Sequence, residues 1–127
     1  MRYKFRAYHK KKERLVDVLE INFEYNTVTL AMETDSDKEY YWWSSTSYLD
    51  EVELMQFTGL TDINGKEIYE GDIITTDIDS IKGTLIYRYG CFQVKYGHEK
   101  YESLINISYP EVIGNIHQHK HLLKENE

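Results

Sequence analysis

Three groups of side chains have the types and spacing for chemistry. Asp62, Glu67, Glu70 and Asp72 place four carboxylates within one short block. Such a cluster is raw material for a divalent-cation site or for an acid and a base. The competing use is architectural, because Asp side chains in turns accept hydrogen bonds from backbone N–H groups a few residues on; that is the expected role here. His117, His119 and His121 alternate. On a strand running that far, all three imidazoles project from one face and offer themselves to zinc or nickel. Structural zinc sites draw four ligands from separated segments, and no second cluster accompanies these three, so an exposed, frayed tail without metal is expected. Cys91 and His98 are a nucleophile and a base by type. No oxyanion-hole signal stands beside them, and Cys91 between Gly90 and Phe92 reads better as a small buried hydrophobe. No catalytic residue and no cofactor is therefore expected, and the chain does not read as an enzyme.

Glycines punctuate the carboxylate block: Gly59, Gly65 and Gly71 recur every six residues. A phosphate-binding loop needs N–H groups converging at a helix N-terminus after a strand, and no helical pattern follows any of the three. Turns, or close approach of one backbone to another, are the simpler reading. Asn64-Gly65 and Glu70-Gly71-Asp72 are both turn signals.

Charge is divided unevenly. The chain carries −7 overall, yet Arg2, Lys4, Arg6, Lys10, Lys11, Lys12 and Arg14, with Glu13 as the one acid, give the first 14 residues +6 and leave −13 on the other 113. A basic stripe of this kind contacts a polyanion, docks on an acidic surface of the same or another subunit, or is a solvated lysine-rich turn. A sequence pI near 5.2 disfavours nucleic acid, since the field of the whole body repels it. A protein partner or self-association ranks first and nucleic acid second.

The elements that must position these groups read as strands. A length of 127 residues suits one domain or two small units, and one cysteine excludes an intrachain disulfide framework. The N-terminus has no apolar leader and no window approaches the ~18 apolar residues of a membrane span, so the expected place is the cytoplasm, with no membrane partner. Phe5 and Ala7 alternate with Lys4 and Arg6, and Lys10 to Glu13 reads as a turn. Along the next strand the apolar set shifts from Val16 and Val18 to Leu19, Ile21 and Phe23, which predicts a bulge or break near Leu19. Asn26 is a turn residue before Val28, Leu30 and Met32. Residues 39–43 predict a further strand and Ser44 to Tyr48 a loop. Tyr48 to Phe57 leans to strand; short strands then follow from Ile73, from Gly83 and from Cys91. The expected inward side chains are Phe5, Leu19, Ile21, Phe23, Leu30, Leu54, Ile68, Ile73, Leu85, Val94, Val112 and Ile116. After Pro110, the segment Glu111 to Ile116 is expected to close a small SH3-like barrel.

The block from Leu54 to Ile73, with Lys4-Phe5-Arg6-Ala7 near the start and Glu111 to Ile116 near the end, resembles the YopX family of small proteins encoded by bacteriophages and prophages. Tyr8, where the family often has a tryptophan nearby, and the histidines after Ile116 depart from its pattern. The resemblance implies a mainly β fold: an N-terminal β portion over 1–57 and a C-terminal SH3-like barrel portion over 58–127, packed as one unit. It implies residence in a bacterial host cell and says nothing about catalysis. Gly59, Asn64, Gly65, Tyr69, Gly71, Asp72 and Gly114 fall in its motif, as residues expected to be structural.

Overall fold

The structure is a computed structural model and describes residues 3–33, 42–76 and 82–126. Eleven strands form, with three short 3₁₀ turns and no α-helix among the described residues. They are β1 (Phe5–His9), β2 (Arg14–Asn22), β3 (Thr27–Glu33), β4 (Trp42–Tyr48), β5 (Val52–Thr61), β6 (Glu67–Tyr69), β7 (Asp72–Thr75), β8 (Lys82–Arg88), β9 (Cys91–Tyr96), β10 (Lys100–Ser103) and β11 (Glu111–Asn115). The hydrogen-bonded orders are β4-β3-β2-β1-β5-β6 and β10-β9-β8-β7-β11, antiparallel throughout. Contacts cluster into two units, one over Lys4–Gln56 and one over Phe57–Glu127 with Met1–Tyr3.

In the first unit, the period of two in β1 puts Ala7 inside, and Val28, Leu30 and Val52 join it from β3 and β5. Val16, Val18 and Ile21 pack on this cluster from one side of β2. They share a side despite odd spacing because the β2–β3 register slips between Val18 and Glu20, leaving Leu19 as the bulged residue. Two inward assignments fail for local reasons. Leu19 is 60% exposed at the bulge, and Phe23 is 81% exposed in the turn beyond the end of β2. Asn26 occupies that turn at φ 57°, a conformation Asn tolerates better than most residues.

Ser44 to Tyr48 is strand, not loop. Its serines and threonines read as connection, but β3 offers a partner for every residue from Trp42 to Tyr48 in unbroken register, and that ladder overrides the local signal. Of the strand predicted over 39–43, Trp42 and Trp43 lie in β4 and the remainder lies outside the described residues.

The second unit is built on Ile68, Ile74, Leu85, Val94 and Leu104, with Phe92, Tyr96, Ile107 and Val112 against them. Full burial of an aliphatic side chain of this size stabilises by about 1.5–3 kcal/mol. Tyr89 (φ 53°) and Gly90 (φ 79°) make the two-residue β8–β9 turn, whose positive φ angles match the twist of the flanking strands. No closed barrel forms. β11 adds to the outer side of β7, a bulge interrupts it between Val112 and Gly114, and the Val112 N–H is taken by the Asp62 carboxylate instead of a further strand. Among the described residues no helix is long and apolar enough to cross a membrane.

Candidate functional site

The basic run is folded into the first unit. Lys4 and Arg6 are half-buried, Arg6 stands opposite Asp17, and Arg14 opposite His9. Lys10 Nζ lies 3.0 Å from the Asp50 carbonyl oxygen and 3.5 Å from Glu53 Oε1. Lys11 and Lys12 are exposed in the turn, and Arg2 lies outside the described residues. The turn is fastened by a residue the sequence reading passed over: His9, 5% exposed, accepts the Lys12 N–H at Nδ1 (3.2 Å) and sits 3.5 Å from Ser47 Oγ at Nε2.

The carboxylates of the central block do not converge. Asp62 and Asp72 are buried, at 7% and 1% exposure, and each binds backbone N–H groups. Asp62 Oδ1 accepts from Asn64 (2.8 Å) and Lys66 (2.9 Å), and Oδ2 from Val112 (2.9 Å). Burial pushes the Asp62 carboxyl up, but the N–H groups of Val112, Lys66 and Asn64 and the Lys66 charge outweigh it, and its pKa falls below the ordinary aspartate value. Asp72 Oδ2 accepts the Tyr69 N–H at 2.8 Å. Tyr69 is buried with its ring 5.4 Å from that of Phe57, and its hydroxyl donates to Glu67 Oε1 at 3.3 Å. Asn64 is exposed at the tip of this turn. Gly59, Gly65 and Gly71 have φ of 86°, 81° and 83°. Among the described residues no three His, Cys, Asp or Glu side chains come together as a metal site.

The histidines after Ile116 do not share a strand face. β11 stops at Asn115, whose Oδ1 accepts the N–H groups of His117 and Gln118, each at 3.0 Å, and so turns the chain. His119 folds back: its Nδ1 accepts the Asn115 N–H at 3.1 Å, and a Cβ on Gly114 would meet the ring at 2.7 Å. The tail is therefore capped and packed at this point, not frayed. Cys91 opens β9, and His98 lies in the turn beyond its far end. Cys91 is half-buried, with Gln93 Nε2 3.1 Å from its sulfur.

Two features emerge only from the strand pairings. The first is β4, an edge strand among the described residues. The second is a cleft of about 560 Å³ in the second unit, lined by Lys82, Thr84, Lys95, Tyr96, Gly97, His98 and Leu123. Beside it the Arg88 guanidinium lies 3.9 Å over the Tyr101 ring and 4.5 Å from the Tyr89 ring. The alternation of Lys82 with Thr84 was visible in the sequence, but not that Lys95 would stand opposite Thr84.

A family profile described as YopX protein matches residues 4–124. This chain belongs to the YopX family. The central block of the YopX chain thus combines three turn glycines with two buried aspartates that bind backbone. A solved structure, protein EF1440 from Enterococcus faecalis, is similar in fold, with TM-score 0.67 and 23% identity over 97% of this chain and 99% of that one. No curated protein matches the chain.

Proposed function

We propose that this YopX-family chain is a phage or prophage accessory protein of the bacterial cytoplasm that works by self-association through the open edge of β4, without catalysing a reaction. The observation that carries this reading is the edge itself. β4 runs Trp-Trp-Ser-Ser-Thr-Ser-Tyr, with no charge, proline or glycine, pairs with β3 without a bulge, and has no strand on its other side among the described residues. Sheet edges that stay unpaired are commonly short, bulged or guarded by lysine or proline, and β4 has none of these devices. A second copy laid antiparallel along it gives a self-complementary two-fold contact and satisfies the open N–H and C=O groups. Exposed rings add apolar area in the same unit: Tyr48 (62%) ends β4, and Phe23 (81%) and Tyr25 (68%) stand in the β2–β3 turn. Binding of a polyanion by the basic run has less support, because Lys10 is engaged by Glu53 and the chain carries −7.

The test is the mass of the protein by light scattering across a concentration series. Wild type is expected to reach at least a dimer. Thr46→Lys, an exposed position in the middle of β4, places like charges on both copies in one short ladder and is expected to leave monomer, with Thr46→Val as control. A monomeric wild type at the highest concentration reached would sink the reading.

A further inference from the structure

The face of the second sheet that points away from Ile74, Leu85 and Val94 carries an arrangement that self-association leaves unused. Thr84 of β8 stands opposite Lys95 of β9, and Lys95 opposite Tyr101 of β10, so the three side chains form one row across three strands. Lys82 lies two residues before Thr84, hence on the same face. Spacing between β8 and β9 is tight here, because a Cβ on Gly83 would meet Val94 Cγ1 at 2.5 Å and the Lys95 carbonyl oxygen at 2.6 Å. The lysines are thus presented by a close-packed hairpin, which is the kind of rigid support a binding site needs.

The cleft above this row brings together several groups suited to an anion. Lys82 and Lys95 supply ammonium groups, His98 an imidazole and Thr84 a hydroxyl, with the Gly97 backbone at the turn beside them, while Leu123 supplies apolar wall. Among the described residues, none that lines the cleft is acidic. A volume of about 560 Å³ exceeds what a simple inorganic ion fills and falls in the range of sites for small organic ligands. Next to Lys95, the Arg88–Tyr101 stack offers a planar cationic and aromatic surface of the sort on which a base lies.

We propose that this cleft binds a nucleotide through its phosphate, with Lys82, Lys95, His98 and Thr84 on the phosphate oxygens and the base toward Tyr101 and Arg88. Free nucleotides and the phosphorylated end of a single strand present the same chemistry, and the experiment separates them. Titration calorimetry and amide shift mapping on the full chain use three probes: inorganic phosphate, adenosine monophosphate, and a short 5′-phosphorylated single-stranded oligonucleotide. Saturable one-to-one binding of a nucleotide probe is expected, with shifts at Thr84, Lys95 and Gly97. Lys95→Gln, at an exposed position, removes a charge-assisted hydrogen bond and is expected to weaken that binding about tenfold. Should Lys95→Gln lose the wild-type circular dichroism spectrum, the double change Lys82→Gln and His98→Gln reads the same loss. Tighter binding of the oligonucleotide than of the monophosphate identifies a strand end as the ligand, and the reverse identifies the free nucleotide; either supports the site. Three results overturn it: no saturable binding of either nucleotide probe, binding that these variants leave unchanged, or inorganic phosphate binding as tightly as the nucleotide.

Discussion

Oδ2 of Asp62 accepts a 2.9 Å hydrogen bond from the backbone N–H of Val112, 50 residues further along the chain. One carboxylate thereby closes its own turn, through Asn64 and Lys66, and anchors β11. Asp62→Asn keeps the shape but turns an NH₂ group toward one of these donors. The predicted cost is about 1–3 kcal/mol, the usual penalty for a buried donor left unmatched. Urea melts of the two proteins at neutral pH measure it, and equal midpoints would refute the anchoring role.

Acid should erase that difference. Because the folded-state pKa of Asp62 is lowered, its contribution is fully present above the unfolded value near 3.9 and is lost as pH falls through the lower folded value. The gap between wild type and Asp62→Asn is predicted to be constant from neutral pH down to about 5 and to shrink below about 4. Melts across that range check it, and a gap that widens on acidification contradicts the sign.

Gly71 sits at φ 83°, with its N–H on the Leu85 carbonyl (2.8 Å) and its own carbonyl accepting from Ile116 N (2.9 Å). An alanine there must hold the left-handed region at about 1–2 kcal/mol. Gly71→Ala is therefore predicted to lower the thermal midpoint clearly, and Glu70→Gln, one residue away, to lower it much less. A Glu70→Gln protein that loses a cation-dependent stabilisation would instead argue for a metal site.

At Gly114 the constraint is space, since the His119 ring occupies the place of a side chain. Gly114→Ala is predicted to expel that ring and break the Asn115–His119 hydrogen bond. The His119 ring resonances should move to solvent-exposed positions, and adding His119→Ala should recover stability. Unchanged His119 resonances in Gly114→Ala would contradict the contact.

Both members of the Lys10–Glu53 pair are about half exposed, at 51% and 53%. Such pairs contribute about 0–1 kcal/mol, so replacing Lys10, Lys11 and Lys12 together with glutamine is predicted to shift stability by no more than that. If the turn served a polyanion, the same triple change would flatten the salt dependence of DNA binding. Filter binding of a random duplex at several salt concentrations distinguishes the two.

Much of the fold was legible where a residue type fits one backbone state. The 10–13 turn, the slip at Leu19, the turn at Asn26 and the glycine turns at 65, 71 and 90 all follow from φ preferences or from a break in alternation. Ser44 to Tyr48 reads as loop because its strand character comes from β3, a partner lying outside its own window. Phe23 continues the period of two past Asn22, where its strand has already ended. Short strands spaced by glycine turns suggest a barrel, but whether β11 meets another strand depends on where its N–H groups go, and one goes to a side chain 50 residues away. Of the candidate sites, the basic run was visible as composition, whereas the cleft needs the Thr84–Lys95–Tyr101 row, which only register reveals.

The bulge at Leu19 has a genetic meaning. Excising that single codon would leave Val16, Asp17, Val18, Glu20, Ile21 and Asn22 in strict alternation, with Val18 still facing Leu30 and Ile21 still facing Val28. Every inward side chain of β2 would keep its place. The strand therefore carries one dispensable residue, and a natural variant or a reading-frame-preserving deletion that shortens it has this site open to it at little cost.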